Sequence, residues 1–151
     1  MENEQNNKLS ELCNNLDELT LKQVDLLDEQ LILMSKLGSV LTGAFIDLAK
    51  SRYIRGENSV STMQIPGEES TVHAATLVTR DSDCKLVISK NQEVNDPIKW
   101  FGVLVPNSLK QSQKAFQKVL EIAIEIINVR YEWLKSLEEY KVQNTIKSSS
   151  S

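Results

Sequence analysis

Histidine, cysteine, glycine and aromatic residues are all scarce in this chain, and each shortage closes off a class of function. A single histidine, His73, means that any Ser-His-Asp or Cys-His nucleophilic site would have to use it, and no motif surrounds it. The two cysteines, Cys13 and Cys84, form no Cys-x-x-Cys pair, so neither a zinc site nor a disulfide framework is expected, and a reducing compartment fits them best. The five glycines show no phosphate-cradling pattern, and there is no Asn-x-Ser/Thr glycosylation site. The opening residues, MENEQNN, are polar and acidic and do not read as a secretory leader. No apolar run approaches the ~20 residues of a spanning helix. A net charge of −4 argues against nucleic acid as the main partner, because phosphate recognition needs a basic stripe. We therefore expect no catalytic residue, no metal and no cofactor.

What the chain does have is two long helical patterns. Residues 1–7 are polar and are expected to be disordered, and residues 8–55 read as one helix. Leu9, Leu12, Leu16 and Leu19 recur at spacings of three and four. Leu27, Leu31, Met34, Leu41, Phe45 and Leu48 continue the stripe in a frame shifted by one residue, as a period of about 3.6 would produce, so a gently curved pair fits better than an uninterrupted supercoil. Gly38 and Gly43 weaken the middle and read as a flexible spot, a tight helix crossing or a hinge. A second helix is expected over 108–146, ahead of a disordered serine tail at 147–151. Its stripe is Leu109, Phe116, Leu120, Ala123, Ile127, Leu134 and Leu137. Between Val119 and Val129 apolar residues spread almost all round, more than one neighbouring helix can cover. A second packing partner is implied, and we expect it on Phe116, Val119, Ile122, Ile126, Ile127, Val129 and Trp133.

Residues 56–107 break helical order. Thr71–Thr79 and Cys84–Ser89 are rich in β-branched residues and flank a turn at Arg80–Asp83, which predicts a β-hairpin, with Trp100–Val105 as a candidate third strand. Charge favours an antiparallel pairing of the helices. Glu11, Asp17, Glu18, Asp25, Asp28 and Glu29 then lie beside Lys135, Lys141 and Lys147, while Lys50, Arg52 and Arg55 lie near the start of the second helix. The expected fold is mainly α: an antiparallel, coiled-coil-like pair of long helices with a small β-hairpin between them.

The segment DPIKWFGVLVPNSLKQSQKAF, from Asp96 to Phe116, is the most distinctive in the chain. Asp96-Pro97 favours a turn, and Ser108 with Gln111 has capping-box spacing for a helix start. Trp100 and Phe101 read either as core anchors or as an interface, with Gly102 allowing close approach. Gln113 falls on or beside the apolar stripe and needs a partner. The run of Pro97, Trp100, Phe101, Gly102, Pro106, Ser108, Leu109, Lys110, Gln111, Gln113 and Phe116 resembles the soluble coiled-coil-domain assembly factors of the vacuolar proton-pumping ATPase. Leu48, Ala49, Lys50, Arg52 and Tyr53 resemble the same family's upstream block. Lys110 departs from the arginine expected there, keeping the charge but losing bidentate geometry.

The resemblance implies a non-enzymatic assembly chaperone for the membrane (V0) sector of that pump, needed for vacuolar acidification and acting by stoichiometric binding. It implies two partners: a membrane-embedded assembly factor of the endoplasmic reticulum (ER) and the V0 subunits. The expected location is cytoplasmic and peripheral on the ER membrane or the ER–Golgi intermediate compartment, with membrane association through the partner only. A structural coiled-coil subunit of a tethering or adaptor complex is the alternative.

Overall fold

The computed structural model describes residues 2–67, 70–91 and 93–149. Met1, Ser150 and Ser151, in the end segments expected to be disordered, lie outside the described residues. In chain order the elements are helix α1 (Glu2–Arg55), two short 3-10 helices (Glu57–Ser59 and Thr62–Gln64), strands β1 (Thr76–Arg80) and β2 (Leu86–Lys90), a third 3-10 helix (Pro97–Phe101) and helix α2 (Asn107–Ser149). The protein is thus mainly helical, with two long helices and one small antiparallel hairpin between them. α1 starts before the expected Lys8, since nothing in the polar residues ahead of it breaks a helix. It stops at Gly56, whose φ of 84° favours glycine.

The chain divides into two compact units, each holding part of both helices: Met1–Leu33 with Ile126–Ser151, and Met34–Glu125. We call them the terminal and central units. In the central unit the antiparallel register is set by two contacts. Ser112 Oγ donates to the Ala44 carbonyl at 2.9 Å, and Ser51 Oγ lies 2.8 Å from Ser108 Oγ. Ala44, Ser51, Ser112 and Ile122 are all sealed from solvent. Small side chains let the helix backbones come close, so that a serine hydroxyl reaches the opposite main chain. In the terminal unit Gln23 Nε2 donates to the Ser136 carbonyl at 3.2 Å, and Leu16 and Ser136 are buried.

Protected positions follow one unshifted repeat of alternating threes and fours. On α1 they are Leu12, Leu16, Leu19, Gln23, Leu26, Gln30 and Leu33, then Leu37, Val40, Ala44, Asp47 and Ser51. On α2 they are Ser108, Ser112, Ala115, Val119 and Ile122, then Ile126, Val129, Trp133, Ser136, Tyr140, Gln143 and Lys147. This corrects the sequence-based frames. α1 does not shift by one residue, and Leu27, Leu31, Met34 and Phe45 are exposed. On α2 the expected stripe lies one residue past this repeat: its Leu109 is buried and Phe116, Ala123 and Leu137 are half-buried, but Leu120, Ile127 and Leu134 are exposed. A strict repeat of 3.5 is what a coiled-coil seam requires.

A second correction concerns α1. One 18-residue window within Asn7–Arg55 has a mean hydropathy of 1.6 and at most two charged residues, apolar enough by length and composition to cross a membrane. Counting only unbroken runs missed it, because Lys36 and Asp47 interrupt the stretch Leu31–Leu48.

The β-hairpin pairs Thr76 with Lys90 through to Arg80 with Leu86. Asp81 Oδ1 accepts from the amides of Asp83 and Lys85 at 2.9 and 2.8 Å, and the turn closes with Cys84 at a φ of 62°. Cys84 therefore belongs to the turn and does not begin β2. It takes the left-handed position of a type I turn plus bulge. Trp100–Val105 adds no strand. Asp96 Oδ1 caps the Ile98 amide at 3.0 Å and Pro97 follows it, which starts the 3-10 helix; Gly102, at a φ of 101°, ends it. The capping box expected at Ser108 is found instead at Ser61, with Gln64 Oε1 accepting from the Ser61 amide at 3.1 Å.

Candidate functional site

The motif residues converge within the central unit. Pro97, Ile98 and Phe101 of the 3-10 helix face Leu109, Ser112, Gln113 and Phe116 of α2 and Leu48 of α1. Together they wall an open slot of about 230 Å3 whose lining is almost wholly apolar. Each wall has a local cause. The Asp96 cap and Pro97 fix the 3-10 helix. Gln113 Nε2 donates to Asp96 Oδ1 at 2.5 Å, tying that cap to α2. Phe116 meets Phe45 edge to face, ring centroids 5.3 Å apart, a preferred aromatic geometry. Gln113 thus finds its partner inside the chain.

The remaining motif residues surround this slot. Trp100 is half-buried and borders a second groove, of about 370 Å3, with Pro66, Val72, His73, Glu93 and Val94. Pro106 is half-buried, and its carbonyl accepts from the Leu109 amide at 3.1 Å, opening α2. Leu109 is buried, while Lys110 and Gln111 are exposed. In the upstream block Leu48 lines the slot, Ala49 and Lys50 are exposed, and Arg52 Nε donates to the Val60 carbonyl at 3.2 Å. Tyr53 is exposed, and Arg55 Nη2 donates to the Leu104 carbonyl.

The seven residues expected to dock a partner separate by position. Val119, Ile122, Ile126, Val129 and Trp133 fall on the protected repeat, Ile122 fully buried and the others half-buried. Phe116 is half-buried in the slot wall. Ile127 is 49 % exposed. The Trp133 indole Nε1 is buried without a hydrogen-bond partner, as is Gln143 Oε1.

Outward apolar residues recur one step past the protected repeat on both helices. In the terminal unit they are Val24, Leu27 and Leu31 on α1 and Ile127 and Leu134 on α2. Within an antiparallel pair such positions border the same side, as the Phe45–Phe116 contact shows for the central unit. Sequence reasoning found these leucines and turned them inward. The signal available was that serine and glutamine occupy the neighbouring frame at regular spacing.

Among the described residues no cluster of three or more His, Cys, Asp or Glu could hold a metal ion. Glu121 bonds Lys118 at 2.8 Å, and that bond holds its carboxyl below the usual range, opposite to what a general acid needs.

In sequence the chain is similar to one family of known proteins. The family model described as Vma22/CCDC115 matches residues 67–119, the stretch carrying the hairpin, the 3-10 helix and the slot-facing start of α2. The zebrafish (Danio rerio) vacuolar ATPase assembly protein VMA22 is 26% identical over 177 aligned residues, covering 83% of this chain and 84% of the relative. The human protein of that name is 28% identical over 154, covering 80% of this chain and 86% of the relative. The mouse one is 44% identical over a shorter 43 residues, 27% of this chain and 24% of the relative. The resemblance read from the Asp96–Phe116 motif is borne out. The relatives' names support an assembly role, and an assembly role fits a non-catalytic protein.

Proposed function

We propose that this chain is a non-enzymatic assembly factor for the V0 sector of the vacuolar proton-pumping ATPase. In this reading a membrane-embedded assembly factor holds it at the cytosolic face of the ER or the ER–Golgi intermediate compartment. It binds new V0 subunits stoichiometrically, without nucleotide or cofactor. One observation carries the proposal: the stretch that matches the assembly-factor family supplies every wall of the apolar slot except Leu48. A slot with a few fixed polar groups at its rim suits a single apolar anchor from a partner chain.

The outward stripe of the terminal unit is a second candidate surface. Of the seven residues expected to dock a partner, we carry forward Ile127 and the slot residue Phe116. We add Val24, Leu27, Leu31 and Leu134, which are already exposed. The five on the protected repeat reach a partner only where the helix pair opens.

Recovery of the tagged protein from microsomes in mild detergent, followed by mass spectrometry, tests the proposal. A membrane-embedded assembly factor and V0 subunits should co-purify, and the double variant Ile127→Asp, Leu134→Asp should lose them about ten-fold or more while keeping its helicity. Recovery with no ATPase subunit and no membrane partner sinks it. The unbroken repeat on both helices also favours a structural subunit of a tethering or adaptor complex. That reading predicts a stable self-assembled oligomer by light scattering and normal vacuolar acidification on depletion.

A further inference from the structure

The loop between the last 3-10 helix and α2 presents two aliphatic side chains to solvent with little cover. Val103 is 99 % exposed and Leu104 79 %. They are held there by identifiable contacts: Gly102 turns the chain at a positive φ, Arg55 Nη2 donates to the Leu104 carbonyl, and the Pro106 carbonyl is engaged by the first turn of α2.

The charge around this tip opposes that of the whole chain. The chain carries a net charge of −4, yet Lys50, Arg52, Arg55, Lys99 and Lys110 lie on the segments that converge here. Three of these cations are held by uncharged oxygens: Arg52 by the Val60 carbonyl, Arg55 by the Leu104 carbonyl and Lys99 by the Asn95 side-chain amide at 3.2 Å. Their positive charge is therefore oriented without being cancelled. Lys50 is paired with Asp47 at 3.6 Å, and Asp96, bonded only to the Gln113 amide and the Ile98 N–H, keeps its negative charge, so the positive excess rests on Arg52, Arg55, Lys99 and Lys110.

We propose that this tip is a contact for an anionic lipid surface, with Val103 and Leu104 entering the acyl boundary and the surrounding cations on lipid phosphates. Exposed aliphatics and snorkelling basic side chains are elements of interfacial binding. A projecting tip also lacks the enclosing pocket in which a protein partner's anchor gains its energy. The inference goes beyond the proposed function, in which the partner alone holds the chain at the membrane, and it does not depend on that reading.

Flotation of the purified full-length chain with vesicles is the test. The chain should float with phosphatidylcholine vesicles containing phosphatidylserine and not with phosphatidylcholine alone, and high salt should release it as screening shortens. Val103→Ser with Leu104→Ser should lower the bound fraction about ten-fold, and Lys99→Glu with Lys110→Glu should do the same. Val78→Thr with Val87→Thr, at exposed positions of the β-hairpin, should change nothing, and circular dichroism confirms that each variant keeps its helices. No flotation with anionic vesicles overturns the proposal, as does unchanged flotation of the Val103/Leu104 variant. So does capture of the tip by an acidic cytosolic peptide with no vesicle binding.

Discussion

The terminal and central units share two helices and one repeat, yet they are built from different materials. In the central unit the seam is small and dry: Ala44, Ser51, Ser112 and Ile122 are sealed, serines bond across it, and the 3-10 helix adds Pro97, Ile98 and Phe101. In the terminal unit Gln23, Gln30, Ser136 and Gln143 interrupt the apolar positions, and Trp133 Nε1 and Gln143 Oε1 are buried with nothing to bond. Polar seam residues fix register at a cost in stability, and an unsatisfied buried group costs about 1–3 kcal/mol. Asp47, Ser51, Ser108 and Ser112 make the central seam polar as well, but its serine hydroxyls are bonded across the helices, so the unbonded buried groups are what set the terminal unit apart. The terminal unit therefore has the costlier seam.

The contrast can be broken most forcefully at Ile122. Ile122→Ala should destabilise the chain by about 2–5 kcal/mol in urea unfolding, whereas Leu134→Ala should cost less than about 1 kcal/mol. Equal losses would mean that the central unit is not where stability resides. At the next scale, Gly38 and Gly43 lie in the central unit, and a Cβ added at either would meet nothing within 4 Å. Gly38→Ala with Gly43→Ala should therefore stabilise by about 1–2 kcal/mol in total. A tight crossing at these glycines would reverse the sign, and a functional hinge would show as lost partner recovery despite higher stability.

Trp133→Phe removes the unbonded donor of the terminal unit while keeping most of its bulk. Stability should rise by up to about 1 kcal/mol, and a fall of that size would reveal a partner for the indole. The smallest effect is expected in the hairpin turn. Cys84→Gly relieves a left-handed backbone position and should stabilise by about 0.5 kcal/mol, read as a small rise in Tm.

Much of this was legible in the sequence. Gly56 and Pro106 mark the helix ends, β-branched runs around Asp81 mark the hairpin, and the Asp96–Phe116 motif carries the family resemblance. The seam was not legible, for a physical reason. Burial ranks positions by hydrophobicity only where helices keep an ordinary distance. Here closeness itself was favoured, so Ala44, Ser51 and Ser112 took the inside and Leu27, Leu31 and Phe45 the outside. The Trp100–Val105 segment misled in another way: its apolar run reads as a strand, but the preceding Asp-Pro cap had already begun a helical turn. The slot could not be foreseen, because its walls are dispersed between Leu48 and Phe116 and meet only after the chain doubles back.

The hairpin turn leaves one practical gift. Cys84 stands exposed at the bend, away from the seams of both long helices, while the other thiol, Cys13, is half-buried. A maleimide fluorophore attached at Cys84 would be a native reporter, able to register arrival of a companion protein or a bilayer without altering the surfaces that either would touch.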